Sequence, residues 1–104
     1  MKVLSLTKKK SPISQRLKQA RSEAGLSQKS LGVAAGIDQF SASARMNQYE
    51  TDKHVPDYGT ISRIAKVLDL PTAYFYCEDD ELAMLVKKWP KLTSHQRRRL
   101  LSSK

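Results

Sequence analysis

The 104 residues suffice for one domain with a short appendage, and a hydrophobic fraction of 39% beside 28% charged residues excludes a chain disordered throughout. A formal net charge of +9, from 19 Lys and Arg against 10 Asp and Glu, favours polyanionic partners: nucleic acid or an anionic membrane surface. One cysteine, Cys77, excludes an internal disulfide framework and a cysteine zinc site.

No apolar run approaches the length of a membrane span, and the stretch ahead of Lys8-Lys9-Lys10 is too short for a signal segment. The expectation is a cytoplasmic protein with no membrane partner. Residues 1–11 carry Lys2, Lys8, Lys9 and Lys10 with no acid and read as a basic arm, within which Lys8, Lys9 and Lys10 are candidate DNA contacts. Residues 12–77 read as a helical domain, and residues 78–104 as a helical C-terminal extension suited to dimerisation.

In chain order, Ile13, Leu17, Ala20 and Ala24 recur at helical intervals, with Ser11-Pro12 as start and Gly25 as stop. Ser27 caps a second helix whose inner face is Leu31, Ala34 and Ala35, and Gly36 ends it. Residues 37–41 read as a turn. A third helix fits Ala42 to about Glu50, with Ser41 as cap and Met46 and Tyr49 facing inward. Asp57 caps a fourth helix with an inner stripe of Ile61, Ile64, Ala65 and Leu68, and Pro71-Thr72 opens a short aromatic helix, Ala73 to Tyr76. Glu78, Asp79, Asp80 and Glu81 suit a helix N-terminus, where they face its positive dipole end. Leu82, Leu85, Val86 and Trp89 follow as an apolar stripe, and Thr93 with Gln96 spells a capping box for a last helix through Leu100 and Leu101. These apolar residues either complete the core or form an intersubunit surface. The fold class is all-α.

Two short helices around a glycine turn make a DNA-reading unit when the second buries one side and shows the other to base edges. With Met46 and Tyr49 inside, Ser43, Arg45, Asn47 and Gln48 remain for the outside. Arg can grip guanine O6 and N7 together, and Asn or Gln can do the same for adenine N6 and N7. His54 and His95 have no ligand pattern around them, Cys77 has no evident base partner, and no phosphate-cradling glycine loop occurs. No metal, no cofactor and no enzymatic activity are expected.

The sequence resembles the Cro/repressor-type helix-turn-helix regulators, the XRE family. The residues that carry the resemblance are Arg16-Leu17-Lys18, Arg21, Gly25-Leu26-Ser27-Gln28, Leu31, Gly36-Ile37, Met46-Asn-Gln-Tyr-Glu50, Pro56, Ile61, Ile64-Ala65 and Leu68. It implies a five-helix lambda-repressor-like domain, here followed by the C-terminal helical extension. It also implies base contacts from Ser43, Ala44, Arg45, Asn47 and Gln48, and phosphate contacts from Ser27, Gln28, Lys53 and His54. A structural pair between Arg21 and Glu50 is implied as well. Two departures stand out. Asp38-Gln39-Phe40-Ser41 lengthen the turn, leaving open whether the third helix begins earlier than Ala42. Gly32 stands where Ala is usual, at a cost of about 1 kcal/mol in a helix interior unless close packing requires it.

The function so implied is a homodimeric, sequence-specific transcriptional repressor on a double-stranded DNA operator. An antitoxin of the same fold that also grips a partner toxin, and an interaction module that does not read DNA, are the alternatives.

Overall fold

A computed structural model describes residues 11–102, and no β-strand occurs among them. Lys8, Lys9 and Lys10 lie outside the described residues. Six α-helices follow one another: α1 (Pro12–Glu23), α2 (Gln28–Ala34), α3 (Ala42–Glu50), α4 (Tyr58–Leu68), α5 (Asp80–Lys88) and α6 (Ser94–Ser102). A 3-10 turn over Thr72–Tyr76 joins α4 to the C-terminal part.

Local chemistry sets the helix boundaries. Ser11 Oγ accepts from Ile13 N at 3.1 Å, Ser27 Oγ from Ser30 N at 2.9 Å, Asp57 Oδ1 from Thr60 N at 2.8 Å and Asp79 Oδ1 from Leu82 N at 2.9 Å. Each satisfies a backbone N–H that a helix start leaves without an internal partner. The bond from Thr60 N also holds the Asp57 carboxyl below its usual range. Thr93 and Gln96 form the reciprocal box ahead of α6, with Thr93 N donating to Gln96 Oε1 at 2.8 Å and Gln96 N to Thr93 Oγ1 at 3.1 Å. At the end of α2, Gly36 takes φ +93°, so that Ile37 N reaches back to Gly32 O at 2.9 Å and closes the helix.

Ser41 departs from its expected role. Its backbone is in the right-handed helical region (φ −118°, ψ −4°), and its side chain makes no capping bond. The hydroxyl instead donates back to the Asp38 carbonyl at 3.4 Å, because a cap needs extended backbone to reach forward over the first turn.

The core is one cluster in which Leu17, Leu31, Met46, Ile61, Ile64 and Phe75 are fully buried. α2 packs on α3, α1 on α3 and on the 3-10 turn, and α4 on α2 and the same turn. Tyr74 and Phe75 meet edge to face, with centroids 5.2 Å apart. Cys77 is a buried free thiol in that cluster.

The beginning of the C-terminal segment is tied to this core. Ala83 on α5 is 1% exposed and Val86 packs beside it. Buried Arg16 of α1 donates from Nε to the Cys77 carbonyl at 3.0 Å and from Nη2 to Asp80 Oδ1 at 2.9 Å. Lys87 Nζ bridges to Glu23 Oε1 at 2.9 Å, which raises the lysine pKa and lowers that of the carboxyl. Of the expected apolar residues, Trp89 is half-buried like Val86, whereas Leu82, Leu85, Leu100 and Leu101 are exposed, as is Met84 between them. No helix among the described residues is long and apolar enough to cross a membrane.

Candidate nucleic-acid interface

The presentation of α3 depends first on how closely it approaches α2. A Cβ added at Gly32 would stand 3.0 Å from Ala42 Cβ, 3.0 Å from Met46 Cγ and 3.3 Å from the Ala42 carbonyl oxygen. The glycine is therefore the contact that lets the two helices meet, and the departure from alanine has a packing reason. Ala42, Met46 and Tyr49 form the buried side of α3.

The second constraint is polar. Arg21 of α1 donates through Nε to Glu50 Oε2 at 2.5 Å and through Nη2 to Glu50 Oε1 at 3.0 Å, a two-pronged match between guanidinium fork and carboxylate. Its Nη1 donates to the Leu26 carbonyl at 2.8 Å. The Glu50 side chain is only 3% exposed, and the bond to it holds the Arg21 pKa above its usual value. This is the structural pair the resemblance implies.

Gln28, implied as a phosphate contact, is half-buried. Its Nε2 donates to Glu50 Oε1 at 3.1 Å and to Asn47 Oδ1 at 3.3 Å, so it links the buried pair to the outer face of α3. Ser27 Oγ serves as the α2 cap, and its hydroxyl donates to Ser30 Oγ at 2.9 Å.

Ser43, Ala44, Arg45, Asn47 and Gln48 are all exposed. Ala44, Asn47 and Gln48, spaced i, i+3, i+4, point furthest from the buried residues, while Ser43 and Arg45 flank them. Arg45 lies on the side facing the start of α4, where with Gln48, Tyr49, His54 and Thr60 it lines a polar hollow of about 410 Å³. The loop after α3 folds back on the helix: Lys53 N and His54 N both donate to the Gln48 carbonyl, at 2.9 and 3.2 Å, with Asp52 left-handed at φ 62°. The exposed side chains of Lys53 and His54 are thereby carried beside Gln48. Thr51 Oγ1 donates to the Asn47 carbonyl at 2.8 Å and closes the C-terminal end.

Sequence reasoning missed Arg63 of α4. Its Nε donates to the Ala35 carbonyl at 3.0 Å and its Nη2 to Thr60 Oγ1 at 3.3 Å, so it braces the end of α2 where the turn begins. Nothing local signals this bond, since its partner is 28 residues away.

Two helices thus meet at a glycine contact, and the second is locked by a partly buried ion pair to α1. The helix-turn-helix domain family matches residues 13–74, the stretch that holds α1 to α4 and most of the 3-10 turn. The chain belongs to the helix-turn-helix family. A solved structure of the transcriptional regulator BswR is 51% identical to it, covers 85% of this chain and 87% of that one, and superposes with a TM-score of 0.76. No protein of curated function matches the chain. In this helix-turn-helix protein α2 and α3 form the motif, and the expected all-α fold with a C-terminal helical extension is the one observed.

Proposed function

We propose that this chain is a sequence-specific DNA-binding transcriptional regulator that acts as a repressor, reading the major groove with α3. The observation that carries the reading is the acid-free outer face of α3. Its one carboxylate, Glu50, is turned inward onto Arg21, so Ala44, Arg45, Asn47 and Gln48 meet the duplex without repelling phosphates. The likeness to a transcriptional regulator at 51% identity supports it.

Arg45, Asn47 and Gln48 supply base contacts, with Ser43 and Ala44 close to the groove floor. Ser27, Gln28, Lys53 and His54 set register on phosphates, and Lys8, Lys9 and Lys10 extend that contact. A homodimer engages two half-sites about 34 Å apart in the cytoplasm, and the exposed leucines of α5 and α6 support a partner on that side.

Selection of duplexes from a random pool tests the reading. Gln48→Ala and Arg45→Ala each relax the preference at one base pair, by about 1–3 kcal/mol. Lys53→Ala weakens every sequence alike and makes the slope of log affinity against log salt shallower by about 0.9. Equal losses on all duplexes from both classes of variant would refute α3 as the reading helix.

A further inference from the structure

Phe40, at the tip of the turn between α2 and α3, is 89% exposed, the highest value among the large apolar side chains described as exposed. The turn that carries it is firmly built. Phe40 N donates to Asp38 Oδ2 at 3.0 Å, and Ser41 N donates to the Asp38 carbonyl at 3.0 Å. An aromatic ring held in water on an ordered turn gains no burial from the fold and is available to a partner.

Its position says which partner. Ser41 has φ −118° and ψ −4°, and Arg45 N donates to its carbonyl at 2.9 Å, so Phe40 lies in the turn two residues before the first residue of α3. Ala44, Asn47 and Gln48 form one stripe along the outer face of α3, and Phe40 precedes the first of them by four positions. Phe40 thus precedes the N-terminal end of α3, the end that a recognition helix presents to base edges. Ala44, first along the stripe, has only a methyl group and leaves room for the ring. In the major groove the one apolar group on the base edges is the thymine 5-methyl.

We infer that Phe40 is a specificity-determining residue that packs against a thymine 5-methyl group at the edge of the half-site read by α3. This rests on α3 reading DNA. The preset turn means that little freedom is lost when the ring docks.

The test uses the full chain and the best duplex enriched from a random pool, with each thymine replaced in turn by deoxyuridine, which lacks only the methyl group. Loss of that methyl at one position lowers wild-type affinity about three- to fourfold, as expected for one buried carbon. Phe40→Ala binds the thymine duplex about tenfold more weakly and no longer distinguishes thymine from deoxyuridine there. Phe40→Leu keeps part of the distinction. The side chain is exposed, so these variants fold like the wild type. If the wild type enriches a motif but responds to no deoxyuridine, or if Phe40→Ala keeps the response, the Phe40 inference fails while the reading by α3 stands. An equal loss by Phe40→Ala on thymine and deoxyuridine duplexes that both retain the wild-type ratio also overturns it, in favour of a sugar or protein contact. If no motif is enriched at all, both fail together.

Discussion

Arg21 and Glu50 illustrate how a single pair of side chains governs a surface neither belongs to. Two charged groups taken out of water repay their desolvation only when geometry is good and the remaining hydrogen-bond sites are filled. Both conditions hold: the guanidinium fork meets both carboxylate oxygens, Gln28 Nε2 adds a further donor, and Arg21 Nη1 finds the Leu26 carbonyl. Removing the cation strands a buried carboxylate. Arg21→Ala is expected to destabilise the fold by about 3 kcal/mol in denaturant titration, and Arg21→Lys to recover only part, because an ammonium cannot bond both oxygens in the same plane. A wild-type midpoint for Arg21→Ala would contradict this account. The partners could be named from the sequence, since an Arg of the first helix and a Glu closing the third accompany the resemblance. The part played by Gln28 could not, because it depends on which way the α2 N-terminus faces Asn47.

Among elements, the α2–α3 pair is set by the volume of one missing methyl group. In isolation Gly32→Ala would favour α2 by about 1 kcal/mol. The added Cβ, however, meets Ala42 Cβ and Met46 Cγ at 3.0 Å, and Ala42 Cβ is fixed to the backbone of α3, so it cannot turn aside. Overpacking of this kind costs about 1–3 kcal/mol. The expected net result is a lower melting temperature, by about 5 °C for each kcal/mol lost, where helix propensity alone would raise it. The start of α4 offers a pH test. Accepting from Thr60 N lowers the folded-state pKa of Asp57 below the ordinary 3.8. A lowered carboxyl pKa stabilises the fold above the unfolded value, and that contribution disappears as pH falls through the folded value. The melting-temperature gap between wild type and Asp57→Ala should therefore be constant near neutrality and narrow below about pH 4. A gap unchanged down to acid denaturation would show that the ionised cap contributes nothing.

At the scale of the whole molecule, basic charge and exposed apolar surface meet on the two C-terminal helices. The described fold leaves Leu82, Met84 and Leu85 of α5 and Leu100 and Leu101 of α6 exposed, on helices that also carry Lys87, Lys88, Arg97, Arg98 and Arg99. If this side holds a second copy of the chain, Leu85→Glu and Leu101→Glu should shift sedimentation from dimer to monomer with unchanged helical circular dichroism. A wild-type chain that sediments as a monomer, and as a larger species only with a second protein, would favour the antitoxin reading instead. The net charge of +9 predicts steep salt dependence of any DNA binding.

Helix ends, turn glycines, the inner stripe of α4 and the inner residues Ile13, Leu17 and Ala20 of α1 were legible in the sequence because each depends on residues within about four positions. Ala24 and Ala34, counted on the inner faces of α1 and α2, are exposed instead. Ser11, Ser27, Asp57 and Thr93 with Gln96 all do in the fold what their spacing implies. Ser41 is the exception that fits the same logic, since its role turned on a backbone angle that the lengthened turn dictates. Tertiary structure alone decided the rest. It chose Ala83 over Leu82 and Leu85 as the buried residue of α5, and it sent Arg16 to the Cys77 carbonyl, 61 positions away. It also set Arg63 against the Ala35 carbonyl and left the ring of Phe40 89% exposed in the turn ahead of α3. Periodicity says that a helix has an inner face, but the depth of burial and the partner of a long side chain are set by packing between segments distant in the chain, which no local pattern encodes.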